Sequence, residues 1–266
     1  NGILALDSAS PIANATNLLL AETSTINGAN TLTVAGTTTK NGAGTATIAT
    51  TFSNTGGVTI NQGLLQLAGN GTHTGNFTVA SGTLALTGGG SSTGAFTVAA
   101  GGGLDFGGNI FFLNAGTLDG PGTVTVSAGM LRKSTGSTVT INPVLNNHSV
   151  VDVASGTLVL AGGVASSSTF NAAVGGTLDF ANSYTLNAGT TLTGAGTMHV
   201  TGGILTVADN TTASAAFNNA STVSVTSGTL ILAGGGSSTG AFNVAVGSSL
   251  GFANSYTLNA GTTLIG

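Results

Sequence analysis

Gln62 to Ala80 reads QGLLQLAGNGTHTGNFTVA, and Ser81 to Ala99 reads SGTLALTGGGSSTGAFTVA. The two lines align without a gap at an offset of 19 residues, so that Leu65 falls on Leu84, Phe77 on Phe96 and Val79 on Val98. Within each line, apolar residues alternate with small or polar ones for three or four positions and then meet glycine or asparagine. That alternation is the signature of a short strand with one buried side. From Leu178 onward strand centres recur every six or seven residues, broken by Asn-Ala-Gly, Gly-Ala-Gly and Thr-Gly-Gly. This is shorter than the spacing of hairpin sheets, but it suits a strand and a corner repeated three times per coil. The expected fold is all-β: a right-handed parallel β-helix (β-solenoid) with about 19 residues and three short strands per coil.

A longer repeat is written over the coil. SGTLALTGGGSSTGAFTVAAGGGLDFGG starts at Ser81, SGTLVLAGGVASSSTFNAAVGGTLDFAN at Ser155 and SGTLILAGGGSSTGAFNVAVGSSLGFAN at Ser227. The offsets of 74 and 72 residues are close to four coils, and the whole chain would make about 14. Phe106 to Asn114 carries one residue more than Phe180 to Asn187, the mark of a bulge. Residues 1–28, with Pro11, are the least regular and read as an irregular start or partial coil. Residues 29–266 read as a continuous β-helix. The sequence opens and stops in mid-pattern, the expectation being a fragment of a longer chain or filament. Asn182, Asn187, Asn254 and Asn259 recur beside corners and are expected to cap turn backbone.

Composition narrows the class of role. Only 4% of the 266 residues are charged, where about 25% is usual. The chain is 41% hydrophobic, too apolar for a disordered segment, yet its apolar runs are far too short to cross a membrane as helices. There is no cysteine, so no disulfide or thiolate-held metal contributes. Three basic residues and a net charge of −4 argue against a nucleic-acid partner, and only Arg132 and Lys133 are adjacent.

Thr39 to Leu67 reads TKNGAGTATIATTFSNTGGVTINQGLLQL. This resembles the passenger-associated repeat of bacterial autotransporters, a K-x-G-x-G-T-L-x-L run followed by an aromatic or apolar residue, T-G-G-T-x-V-x-x-G and T-L-x-L. Lys40, Gly42, Gly44, Thr45, Ile48, Phe52, Gly56, Gly57, Val58, Ile60, Gly63 and Leu67 fall on matching places; Ala46 and Leu64 depart from it. The resemblance covers about 30 residues and implies a β-helix that is secreted or displayed on a cell surface, as in large repeat adhesins. It implies no particular ligand.

Few residues invite a catalytic reading. Asp105 and Asp179 share the LDF slot of the first two cassettes, but Gly251 stands there in the third. Four coils at about 4.8 Å would hold the two carboxyls beyond the about 5–9.5 Å of a glycosidase pair. His148, Val150 and Asp152 fall on one strand face with Ser149 on the other, which spoils a hydrolytic triad. His73, His148 and His199 lack metal-ligand spacing and read as surface residues. Thr-x-Thr pairs at Thr31, Thr45, Thr72, Thr123 and Thr138 resemble an ice-binding ladder but keep no coil register. No catalytic, cofactor-binding or metal site is assigned and no cofactor is expected. The expected role is that of a structural extracellular solenoid in a fibre, stalk or adhesin at a bacterial cell surface. Its expected partners are other copies end to end or laterally, further chain, or a glycan or other cell-surface ligand. The competing readings are a secreted polysaccharide-acting β-helix enzyme and an ice-binding solenoid.

Overall fold

The computed structural model describes the backbone of residues 2–5 and 12–266 and the side chains of residues 16–266; Pro11 lies outside the described residues. Among them every element is a strand, and each strand pairs in parallel with one about a coil away, giving a parallel β-solenoid that matches the right-handed β-helix expected. The chain forms two compact units, Asn1–Leu131 and Arg132–Gly266.

In the first unit the stacking follows the aligned lines above. Val58, Phe77 and Phe96 form one column, and Leu65, Leu84 and Leu104 another. Within residues 1–28, strands Gly2–Ala5 and Ser24–Asn27 pair with each other, and Ile12–Leu20 pairs with Leu32–Lys40. In the second unit Leu158, Leu178, Met198 and Phe217 stack in register. The inward positions of the alternation are fully buried Leu, Val, Ile and Phe, so the burial of each strand is shared with the coils on either side.

Two expectations about spacing are corrected. The coil averages about 20 residues, giving about 12 turns instead of 14, because some corners absorb extra residues: Phe170 stacks on Leu192, a step of 22. The long repeat is also not four coils. Leu158 stands in the column with Leu178 and Met198, but its counterpart Leu230 stacks between Thr211 and Leu250. The strand Thr229–Leu232 is the eleventh after Gly156–Leu160. With three strands per coil, eleven strands are three and two-thirds turns, so the cassette starting at Ser227 is turned by a third of a coil from the one at Ser155. In the first cassette the extra residue falls in the corner Gly107–Ile110, where burial stops alternating before Phe111 resumes it.

Each cassette carries the same internal furniture. Three aromatic rings cluster in the core as Phe96, Phe106 and Phe111 and as Phe170, Phe180 and Tyr184, and on the last coil as Phe242, Phe252 and Tyr256, with neighbouring centroids 4.9–6.3 Å apart. Tyr184 is buried, yet its hydroxyl donates to the carbonyls of Leu145 and Ala165 at 2.9 and 2.7 Å. A polar plug faces inward at one corner. Asn147 Oδ1 accepts from the Ser149 N–H and Asn219 Oδ1 from the Ser221 N–H; one coil on, Ser166 and Ser238 accept from the N–H groups of Ser168 and Gly240. These bonds give the corner N–H groups a side-chain acceptor, and the Gly240 N–H also donates to the carbonyl of Asn219.

The corner after each Ser of S-G-T-L needs a positive φ, and Gly82, Gly156 and Gly228 hold it at 95°, 74° and 73°. A second such place is Gly90 at 122° and Gly236 at 131°, but the middle cassette puts Val164 there at 114°. Val164 is the one described non-glycine residue in that region.

Candidate functional site

Outward side chains on these strands are spread along the coils, and the structure separates most of the residues that the sequence singled out. Asp105 accepts a hydrogen bond from Ser127 and Asp179 from Thr201, at 2.9 and 2.7 Å, each across one coil. His148 is exposed with Nδ1 3.2 Å from Ser167 Oγ, whereas Asp152 is buried, 3.2 Å from Arg132 Nε and accepting from Asn171 at 2.6 Å. Ser149 points its N–H at Asn147. No triad is assembled from them. Thr45 and Thr47 are followed in the next coil by Leu64 and Gln66, so that Thr-x-Thr pair builds no ladder.

Asn182 caps as expected: its amide donates to Ala161 O at 2.8 Å and its Oδ1 accepts from the Ser183 N–H at 2.7 Å, while Asn254 accepts from Ser255. At Asn187 and Asn259 the backbone carbonyl does the accepting, from the N–H groups of Thr190 and Thr262.

His73 corrects the surface reading. It occupies the inward plug position of the first cassette, with Nδ1 2.6 Å from Asn54 Oδ1 and its ring against Phe52, Phe77 and Phe111. Burial lowers its pKa to about 4, because the charged imidazolium would lose its water there. The reason it is inside is parity: Thr72 and Thr74 face solvent, so the residue between them cannot.

The chain's two lysines were not anticipated at all as core residues. Lys40 is fully buried, and its ammonium donates to the carbonyls of Ala21, Asn41 and Gly42 at 2.7–2.9 Å, with Glu22 nearby. Lys133 is equally buried and donates to Thr135 through its carbonyl and hydroxyl and to Ser155 O. Burial lowers both ammonium pKa values, and for Lys40 the Glu22 carboxylate opposes the shift. Alternation could have found them: Lys133 is two residues on from buried Leu131, so Arg132 turns outward to Asp152 and Lys133 inward.

Several exposed apolar side chains gather on the last coil. Phe252, Leu258, Leu264 and Ile265 are 39%, 47%, 55% and 58% exposed, and Phe252, Leu264 and Ile265 surround a hollow of about 360 Å³ with Val244 and Leu250. Their counterparts one cassette earlier, Phe180, Leu186 and Leu192, are completely buried because Val200, Val207 and Ala213 stack on them. The same side chains are thus core when a coil covers them and a stacking face when none does.

None of the family models, curated proteins or solved structures compared with this chain matches it.

Proposed function

We propose that the chain is a structural and interaction protein, a solenoid segment of a fibre, stalk or adhesin outside a bacterial cell, and not an enzyme. The observation that carries the reading is coil-on-coil stacking: Phe180, Leu186 and Leu192 are completely buried against Val200, Val207 and Ala213 of the next coil, and the same apolar face recurs at Phe252, Leu258 and Leu264. A coil covers such a face best, because it supplies both apolar side chains and the N–H and C=O groups that open strand edges lack. A second copy supplies such a coil. A head-to-tail contact of this kind does not close on itself and so builds a filament. The bacterial-surface setting is supported by the likeness of Thr39–Leu67 to the autotransporter repeat, two features of which have a physical basis here. Lys40 ties a corner together through three carbonyls, and Gly42 holds the positive φ of 78° that the same corner needs.

The test is the mass of the purified 266-residue chain in solution across a wide concentration range, by sedimentation. Concentration-dependent assembly is expected. A monomer at all concentrations would refute end-on association.

A further inference from the structure

The outer face of the first unit contains a pit made by one missing side chain. Thr83 and Gly103 are register neighbours, as are Ala85 and Asp105, and the strand Gly102–Leu113 pairs with Thr123–Lys133 on its other edge. Thr83, Gly103, Asp105, Thr123 and Thr125 line a depression of about 230 Å³ floored by Leu104. A Cβ placed on Gly103 would sit 3.4 Å from Thr83 Oγ1 and 3.8 Å from its methyl, so the space accepts a side chain. The other two cassettes put one there, Thr177 and Ser249.

Behind the wall of this pit lies an unanswered acceptor. Asp105 Oδ2 takes the Ser127 hydroxyl at 2.9 Å, but Oδ1 is buried and receives no hydrogen bond. A carboxylate oxygen withdrawn from water calls for a donor, and one carrying positive charge answers it best. The first unit cannot supply that charge itself. Its one lysine, Lys40, spends its ammonium on the carbonyls of Ala21, Asn41 and Gly42, it has no arginine, and its one histidine is the buried His73.

We propose that the pit over Gly103 binds small molecules through a primary ammonium group. The ammonium pairs with the Asp105 carboxylate once a turn of that side chain brings Oδ1 out of its buried position to the pit, and it donates its other N–H groups to the hydroxyl oxygens of the threonines around it, of which Thr83, Thr123 and Thr125 are at hand. A divalent cation is a poorer match, since a single carboxylate and neutral hydroxyls offer little charge to replace its water shell. The same chemistry is carried by aliphatic amines and by amino sugars.

The experiment is a titration of the full chain followed by the backbone amide signals of Gly103, Asp105 and Thr123, using ethylammonium chloride, glucosamine, glucose and calcium chloride as probes. Ethylammonium or glucosamine is expected to shift these signals saturably and glucose to do so at least about tenfold more weakly, the loss of one charge-assisted bond. Binding of both amines means the ammonium suffices, and binding of glucosamine alone identifies the amino sugar. Gly103→Thr, which copies Thr177, is expected to abolish binding with an unchanged melting temperature, and Asp105→Asn to weaken it about tenfold or more. Asp179→Asn is expected to leave it unchanged. The proposal is overturned if neither amine binds, if glucose or calcium binds as well as the amines, or if Asp105→Asn binds like the parent. Should Gly103→Thr fail to fold, the Asp105→Asn and Asp179→Asn pair decides alone.

Discussion

His73 sits where the other two cassettes carry Asn147 and Asn219, and the exchange makes one corner sensitive to acid. Its folded pKa is pushed down to about 4, against about 6.5 for a free imidazole. Above pH 6.5 the ring is neutral in both folded and unfolded chain, and the corner contributes its full stability. As the pH falls below that, the unfolded chain takes up a proton that the folded core refuses, and the loss grows until about pH 4, where it reaches about 3 kcal/mol. Urea midpoints measured at pH 7 and pH 5 should therefore drop more steeply for the parent than for His73→Asn, and equal slopes would mean that the ring is not buried as described. Val164 is a second outlier at this scale. A β-branched residue at φ 114° carries about 1–3 kcal/mol of backbone strain, more than the about 0.5–1 kcal/mol that glycine costs in a strand. Val164→Gly should raise the melting temperature by about 2 °C. The reverse change, Gly236→Val, should lower it by more, because its Cβ would come within 2.1 Å of Phe217 O. A Val164→Gly variant that melts lower than the parent would show that the side chain's contacts outweigh the strain.

A single coil is stable only through its neighbours, so damage at one inward position should spread along the column. Phe180 packs between Leu160 and Val200 and touches Phe170 and Tyr184, and Phe180→Asp puts an unpaired charge among them. Hydrogen exchange should then accelerate in the strands Gly156–Leu160 and Thr197–Val200 as well as in its own, while Asp105→Asn should leave exchange and melting almost untouched. Protection lost in the mutated strand alone would argue against coil-to-coil cooperativity. At this scale the sequence is a good guide where alternation is clean. The offset between Gln62 and Ser81 reappears as Leu65 paired to Leu84 and Phe77 to Phe96, since identical strands stack best in register. The turn of each cassette was hidden because coils vary from the 18 residues between Leu205 and Val223 to the 22 between Phe170 and Leu192, so residue counts blur what strand counts resolve. His73 was misread, and Lys40 and Lys133 went unplaced, for one reason: residue type spoke for the surface and strand parity for the core, and parity prevailed because Asn54 and corner carbonyls were there to receive the polar atoms. The pit at Gly103 was illegible until the register set Thr83 beside it, although Thr177 and Ser249 at the same cassette place mark the glycine as the odd member.

For the molecule as a whole, charge is scarce, and two of its three cationic side chains are withdrawn into the core. Little repulsion is therefore available to keep copies apart, and association should depend on apolar contact more than on ionic strength. Leu264 offers a clean way to separate the two. It is 55% exposed beside Ile265 and Phe252, and its counterpart Leu192 is completely buried under Ala213. Leu264→Asp leaves a carboxylate in water in the isolated chain, so circular dichroism should be unchanged and melting should move by less than about 0.5 kcal/mol in stability. In an assembly, the same carboxylate would be buried against another coil without a partner, at a cost that stacking cannot recover. Sedimentation of the variant should thus show monomer at concentrations where the parent assembles, with added salt restoring little. Assembly of Leu264→Asp at the parent's concentration would place the contact elsewhere on the solenoid and leave the last coil's apolar face without a role in joining copies.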